Sequence, residues 1–284
     1  MTNRSPILPP AWLGILGGGQ LGRMFIHEAQ SLGYKVCVLD PDSLSPGGAV
    51  AEKHLCADYG DEKALSEMAN LCAAVSTEFE NVPAKTLDYF QDKGIFVAPM
   101  GQCVSIAQDR VLEKEFLQQC ASSSGIGPVP YCVIQSQNDL TTVPGHFFPG
   151  ILKTARMGYD GKGQTNVANT NELALAWQEF SRDVCVFEKK MPLAFEVSAL
   201  VVRADDGEST AYPIAENIHR NGILHTSTVP SPSLAKHPEL SKKIIAASFE
   251  IAKKMGYVGV LCVEYFILQD GSVVVNEIAP RPHN

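Results

Sequence analysis

The chain has 284 residues, 45% of them hydrophobic, and its 23 Lys and Arg against 31 Asp and Glu give a formal charge of −8. That composition suits a soluble globular protein of one large or two ordinary domains, and its acidity without any Lys/Arg cluster excludes an extended nucleic-acid surface. MTNRSPILPPAW lacks the apolar core of a signal peptide and no later run is long enough to span a bilayer, so the chain reads as cytoplasmic and not membrane-bound. Eight cysteines without a CxxC pair and seven histidines without HxH or HxxxH spacing leave reduced thiols and no histidine metal site. Carboxylates are then the expected ligands of a metal.

The first hundred residues alternate strand and helix. Trp12 to Leu16 reads as a strand, Gln20 to Leu32 as a helix, Lys35 to Leu39 as a strand, Glu62 to Leu71 as a helix and Ala73 to Ser76 as a strand; a helix over Lys85 to Lys93 and a short strand over Ile95 to Ala98 follow. Leu21, Met24, Phe25, Ala29 and Leu32 recur at helical spacing, and Gly33 supplies a stop. This is the pattern of a parallel, doubly wound sheet. Pro99 to Gly101 mark a boundary that divides the chain into residues 1–101 and 102–284.

The second part opens with helical stretches through Asp109 to Cys120 and the loop SSSGIGPVP. Strands are expected at Tyr131 to Ile134, Ile151 to Lys153 and Val184 to Glu188, with a helix from Asn171 to Ser181. The last third is strand-rich: Glu196 to Arg203, Thr210 to Pro213, Ile223 to Val229, Gly259 to Leu268 and Val273 to Ile278, with a long amphipathic helix from Pro238 to Met255. That is an α+β pattern with antiparallel pairing.

Four motifs carry chemistry. GILGGGQLGRM places Gly17, Gly19 and Gly22 between a strand and a helix, where unpaired helix N–H groups suit an anion; Asp40, at the end of the next strand, completes a nicotinamide-type fingerprint. The plainer reading is close strand–helix packing. ILKTARMGYDGKGQ sets Lys153 before a loop with Gly158, Gly161 and Gly163 around Asp160 and Lys162, which suits a phosphate cover better than an ordinary Asp-Gly turn. Glu264 and Glu277 flank QDGS. A two-residue Asp270-Gly271 turn pairs Gln269 with Ser272 and places the two glutamates directly opposite, where like charges repel unless a cation such as Mg²⁺ joins them. Two solvent-facing carboxylates would be the alternative. NEIAPRPHN adds Arg281 and His283, a cation pair beside bound phosphates or, more plainly, a surface charge and a frayed end.

Together GGGQLGRM, GYDGKGQ, EYF and NEIAPRPHN resemble the ATP-grasp superfamily, and within it the 5-(carboxyamino)imidazole ribonucleotide synthetase family. The resemblance spans Gly14 to Asn284. It implies a Rossmann-like pre-ATP-grasp domain over 1–101 and an α+β ATP-grasp domain over 102–284, with the family's small C-terminal domain absent. It implies a homodimeric ligase of purine biosynthesis that carboxylates aminoimidazole ribonucleotide with ATP, Mg²⁺ and bicarbonate, through carboxyphosphate.

Residue by residue, the resemblance puts Arg110 and Lys153 on the ATP phosphates, with Gly158, Tyr159, Asp160, Gly161, Lys162, Gly163 and Gln164 closing over them. Glu188 and the backbone of Lys189, Lys190 and Met191 would meet the adenine, Glu196 the ribose, and His219 the nucleotide site. Glu264 and Glu277 would hold Mg²⁺ with Asn276 beside them; Ala279 stands where the superfamily often has a third, asparagine ligand. Lys153 and Arg281 would stabilise the transferring phosphoryl group, Asp160 would orient the substrate amine or take its proton, and Tyr159 would pack on the imidazole. Gln20, Leu21 and Glu78, preferred to Glu80, would meet the ribonucleotide, with Arg281 and His283 beside it. Family members continue into a domain that supplies a further substrate lysine, so this chain is expected to bind ATP but turn over poorly. The alternatives are a formate-dependent glycinamide ribonucleotide transformylase-like enzyme, an NAD(P)-binding oxidoreductase and a nucleotide sensor.

Overall fold

The computed structural model describes residues 5–156, 163–220 and 223–282. The amino-terminal half is built from β1 (Trp12–Leu16), α1 (Gln20–Ser31), β2 (Lys35–Leu39), β3 (Lys53–Leu55), α2 (Glu62–Leu71), β4 (Ala74–Thr77), α3 (Ala84–Asp92) and β5 (Phe96–Val97). Its five strands lie in the order β3-β2-β1-β4-β5, all parallel. The chain reverses its winding between β1 and β4, so the loops after those two strands open on one crevice. Leu16, Leu39, Met68, Leu87 and Phe90 fill the face under α2 and α3, while Ile15, Ile26, Val36 and Val38 pack under α1.

The buried residues of α1 are Gly22, Ile26 and Ala29, not the whole expected stripe. Met24 is 56% and Leu32 67% exposed. A Cβ on Gly22 would stand 2.5 Å from the Gly17 carbonyl oxygen, so the missing side chain is what lets α1 settle against its own loop, on a face rotated from the one hydrophobicity alone selects.

α4 (Gly101–Ala107) joins the halves. Its Val104 lies in the core of the first half and its Cys103 in that of the second. The remainder comprises α5 (Arg110–Ser124), β6 (Tyr131–Ile134), α6 (Gln137–Thr142), β7 (Gly150–Thr154), β8 (Gln164–Val167), α7 (Thr170–Glu179), β9 (Cys185–Lys189), β10 (Leu193–Arg203), β11 (Ser209–Ala211), β12 (Ala215–Arg220), β13 (Ile223–Thr228), α8 (Pro238–Met255), β14 (Gly259–Leu268) and β15 (Val273–Ala279). One antiparallel sheet runs β6-β9-β7-β8 under α6 and α7; a larger one runs β13-β12-β10-β14-β15, with β11 on β10, under α5 and α8. Among the described residues no helix is long and apolar enough to cross a membrane.

β3, α6, β8 and β12 carry too few residues in period to stand out in the sequence. α5 runs on through Ser124, with the Ser122 and Ser123 hydroxyls donating to the carbonyls of Gln119 and Cys120, and left-handed Gly125 ends it. The expected serine-rich loop is thus partly helix.

Gly22→Ala is expected to cost about 2 kcal/mol, because its methyl meets backbone. Gly145→Ala, whose methyl meets nothing within 4 Å, should stay within about 0.5 kcal/mol of wild type. Urea unfolding of the two variants checks this; equal midpoints would show that the loop yields freely.

Candidate active site

The β14–β15 hairpin corrects the expected register. Leu268 donates to the Ser272 carbonyl and Gly271 to the Leu268 carbonyl, which makes a three-residue loop whose last residue, Gly271, has φ +81°. Tyr265 therefore pairs with Val275 and Phe266 with Val274; beyond a bulge, Val263 pairs with Ile278 and Cys262 with Ala279. The bulge sets Asn276 and Glu277 together against Glu264. Val275 and Ile278 both enter the core, so the inserted residue keeps two consecutive polar side chains out of it. The glutamates are neighbours, as expected, but through a bulge rather than a direct pair.

Asn276 Nδ2 donates to Glu264 Oε2 at 3.2 Å, while Asn276 Oδ1 is buried without a hydrogen-bond partner. Burial and then Glu264 push the Glu277 carboxyl above its ordinary value, against the pull of Arg110, Lys153 and Lys114. Among the described residues no three His, Cys, Asp or Glu side chains gather as a metal site. Two carboxylates and an unsatisfied amide oxygen nonetheless fit Mg²⁺, which takes few protein oxygens and completes its shell from phosphate and water.

Around this pair stand cations from other elements. Arg110, the first residue of α5, puts Nη1 3.7 Å from Glu277 Oε2. Lys153 on β7 and Lys114 on α5 flank Glu188 of β9, at 2.6 and 2.8 Å. Burial raises the Glu188 carboxyl, but the two lysines overcome it and bring it to about 2. Its side chain thus faces the two lysines. The backbone that follows has its Lys189 and Lys190 amides on the carbonyls of Pro130 and Pro149, and Lys190 Nζ reaches Asn166. On the larger sheet His219 Nδ1 of β12 lies 2.6 Å from Glu196 Oε2 of β10, and that contact raises the imidazole above its ordinary value. Gly163 accepts from the Thr154 amide, and Gln164 opens β8 opposite Lys153. Gly158, Tyr159, Asp160, Gly161, Lys162 and His283 lie outside the described residues.

Glu113 and Lys114 went unnoticed as charges of a surface-like helix. Both are buried. Glu113 accepts from the Ile278 amide and Lys114 donates to the Asn276 carbonyl, each at 2.7 Å. Burial pushes the Glu113 carboxyl up to about 7 despite its lysine neighbour. The available signal was position: 110, 113, 114 and 117 share one helix face, and Leu117 is fully buried.

The glycine loop differs from a vacant anion cradle. Glu78, just past β4, accepts from Gly19 N at 2.6 Å and from Gly22 N, and Asp40 accepts from Gly18 N at 2.7 Å and from the Tyr59 hydroxyl. The protein's own carboxylates take these amides. Burial raises the Glu78 carboxyl against the pull of those two N–H groups. β4 ends at Thr77, and Glu80 instead meets Arg281 Nε at 2.6 Å. Leu21, Glu78 and Arg281 line a cavity of about 320 Å³ with Ile15, Phe25 and Phe96; Gln20 is exposed nearby.

A family model described as the ribonucleotide synthetase preATP-grasp domain matches residues 11–108, and one described as the ATP-grasp domain matches 119–284. An N5-carboxyaminoimidazole ribonucleotide synthase of Bacillus subtilis (strain 168) is 37% identical over 280 residues, 98% of this chain and 71% of that protein. An ADP complex of an N5-carboxyaminoimidazole ribonucleotide synthetase superposes with a TM-score of 0.90 at 39% identity, covering 98% of this chain and 72% of that one. The Staphylococcus aureus enzyme complexed with ADP gives 0.89 at 36% identity, covering 99% and 73%.

Lys114→Met should cost about 3 kcal/mol, since it strips a buried carboxylate of one of its two cations. Glu188 contributes stability above its unfolded value of 4.5 and loses it as pH falls through about 2. The acid-unfolding midpoint of Lys114→Met, followed by circular dichroism, should therefore lie higher than that of wild type; an unchanged midpoint would remove the ion cluster from the account.

Proposed function

The chain belongs to the N5-carboxyaminoimidazole ribonucleotide synthase family of ATP-grasp ligases, and we propose that it uses ATP to carboxylate the amine of 5-aminoimidazole ribonucleotide with bicarbonate, acting in the cytoplasm as a homodimer. The observation that carries this reading is the convergence of Arg110 from α5, Lys153 from the smaller sheet, and Glu264, Asn276 and Glu277 from the larger one. A nicotinamide cofactor, by contrast, would meet the Glu78 carboxylate where its pyrophosphate must sit.

A bicarbonate oxygen attacks the γ-phosphorus as the bond to the β-phosphate oxygen breaks, releasing ADP and forming carboxyphosphate. That species gives up phosphate, and its carbon, as CO₂, joins the substrate amine, which loses a proton. Lys153 neutralises charge on the transferring phosphoryl oxygens and is itself held by Glu188. Arg110 adds a second cation. Bound at Glu264, Glu277 and Asn276, Mg²⁺ supplies Lewis-acid charge stabilisation for phosphoryl transfer. His219 and Glu196 form the pair that reads the nucleotide's sugar edge. Glu78, fixed by two backbone amides, keeps acceptor capacity for ribose hydroxyls. Arg281, steered by Glu80, guards the substrate side. Asp160, Tyr159 and His283 keep the roles that the resemblance implies.

ADP formation is expected to require bicarbonate and aminoimidazole ribonucleotide and to be indifferent to formate and glycinamide ribonucleotide. Glu277→Gln should lower it at least about 100-fold. Unchanged turnover in that variant would remove the metal assignment; stimulation by formate would favour the transformylase reading.

A further inference from the structure

The backbone on both sides of Glu277 is gripped by two neighbouring side chains of α5. Lys114 Nζ donates to the Asn276 carbonyl and the Ile278 amide donates to Glu113 Oε1, both at 2.7 Å. β15 is the end strand of its sheet, and the bulge opposite Glu264 interrupts its ladder to β14. A strand so placed can be fixed further only from its outer edge. That edge is occupied in succession: the Val275 amide and carbonyl bond to Gly127 O and Val129 N at 2.8 and 3.0 Å, then Lys114 takes Asn276 and Glu113 takes Ile278. Glu113 is 2% and Lys114 1% exposed, so water does not substitute for either.

We propose that Glu113 and Lys114 form a backbone clamp that aims the Glu277 carboxylate, which makes Glu113 a positioning residue for the metal-dependent step although it does not touch the reacting groups. This rests on the reading of Glu264 and Glu277 as the metal pair. Arg110, one turn earlier on α5, addresses the Glu277 side chain itself, so a single helix fixes the residue from its peptide and from its carboxylate. Lys114 also serves Glu188, and changing it disturbs the Lys153 side of the site as well. Glu113 isolates the clamp. What the Ile278 amide needs is an acceptor oxygen at the right reach; a carboxylate and a carboxamide both supply one.

Two variants separate reach from charge. Glu113→Gln keeps the reach and loses the charge, while Glu113→Asp keeps the charge and withdraws the oxygen by one methylene. Mg²⁺ titrations of the ATP-induced rise in Tm and of ADP formation, beside ATP affinity without Mg²⁺, read the effect. Glu113→Asp should raise the Mg²⁺ half-saturation about 10-fold, with Glu113→Gln close to wild type and Mg²⁺-free ATP affinity unmoved in both. The reverse order, equal effects, a shift in Mg²⁺-free affinity of similar size, or failure of either variant to fold would overturn the clamp. Glu277→Gln serves as reference. A wild-type Mg²⁺ dependence there means that the metal reading is wrong; a shift there without one in Glu113→Asp means that the clamp alone is wrong.

Discussion

A carboxylate buried between two lysines organises the second half of this molecule. Glu188 on β9 meets Lys153 on β7 and Lys114 on α5, so one charge cluster ties the smaller sheet to the helix beneath the larger one. Charges are costly to bury unless compensated, and here compensation demands that three elements arrive together. The cluster retains one excess positive charge. Arg110 adds another, and the acidic pair Glu264 and Glu277 offsets them. The six side chains are close to neutral in sum, a balance that suits the phosphates and the divalent ion of the reaction proposed above.

The bulge on β15 solves a problem of periodicity. A regular strand sends alternate side chains to opposite faces, so Asn276 and Glu277 could not both leave the core. One inserted residue allows it, and Val275 and Ile278 remain packed on either side. The penalty is a broken ladder, and α5 together with the Gly127–Val129 stretch supplies the missing partners. Sheet, helix and loop thereby share the task of holding one carboxylate.

Much of this was legible in the residues. Strand–helix alternation to residue 98 carries the parallel sheet, because each strand is a short apolar run ended by Gly or a polar turn. The proximity of Glu264 and Glu277 was legible as well, though by compensating errors: the turn has three residues instead of two, and the bulge restores the offset. Bulges leave little trace in sequence, since their residue types are those of any strand. Glu113 and Lys114 were hidden for a related reason. In RVLEKEFLQQC they look like solvated helix charges, and only their long-range partners Ile278, Asn276 and Glu188 make them interior residues. Glu78 was singled out as a substrate contact, but that it takes the Gly19 and Gly22 amides depends on the β1–β4 adjacency, which local pattern does not encode.

Cys103 and Val104 are consecutive in α4 and buried in different hydrophobic cores. A helix of seven residues has no slack with which to leave one core and stay in the other. The junction between the halves is thus part of the packed interior rather than a tether, and the folding of either half is thermodynamically coupled to that of its neighbour. The glycine-loop crevice and the face that carries Glu264 and Glu277 then stand at a set spacing. For the reaction proposed above, the packing of the two cores then sets the distance between the two sites, which two loosely joined bodies would leave variable.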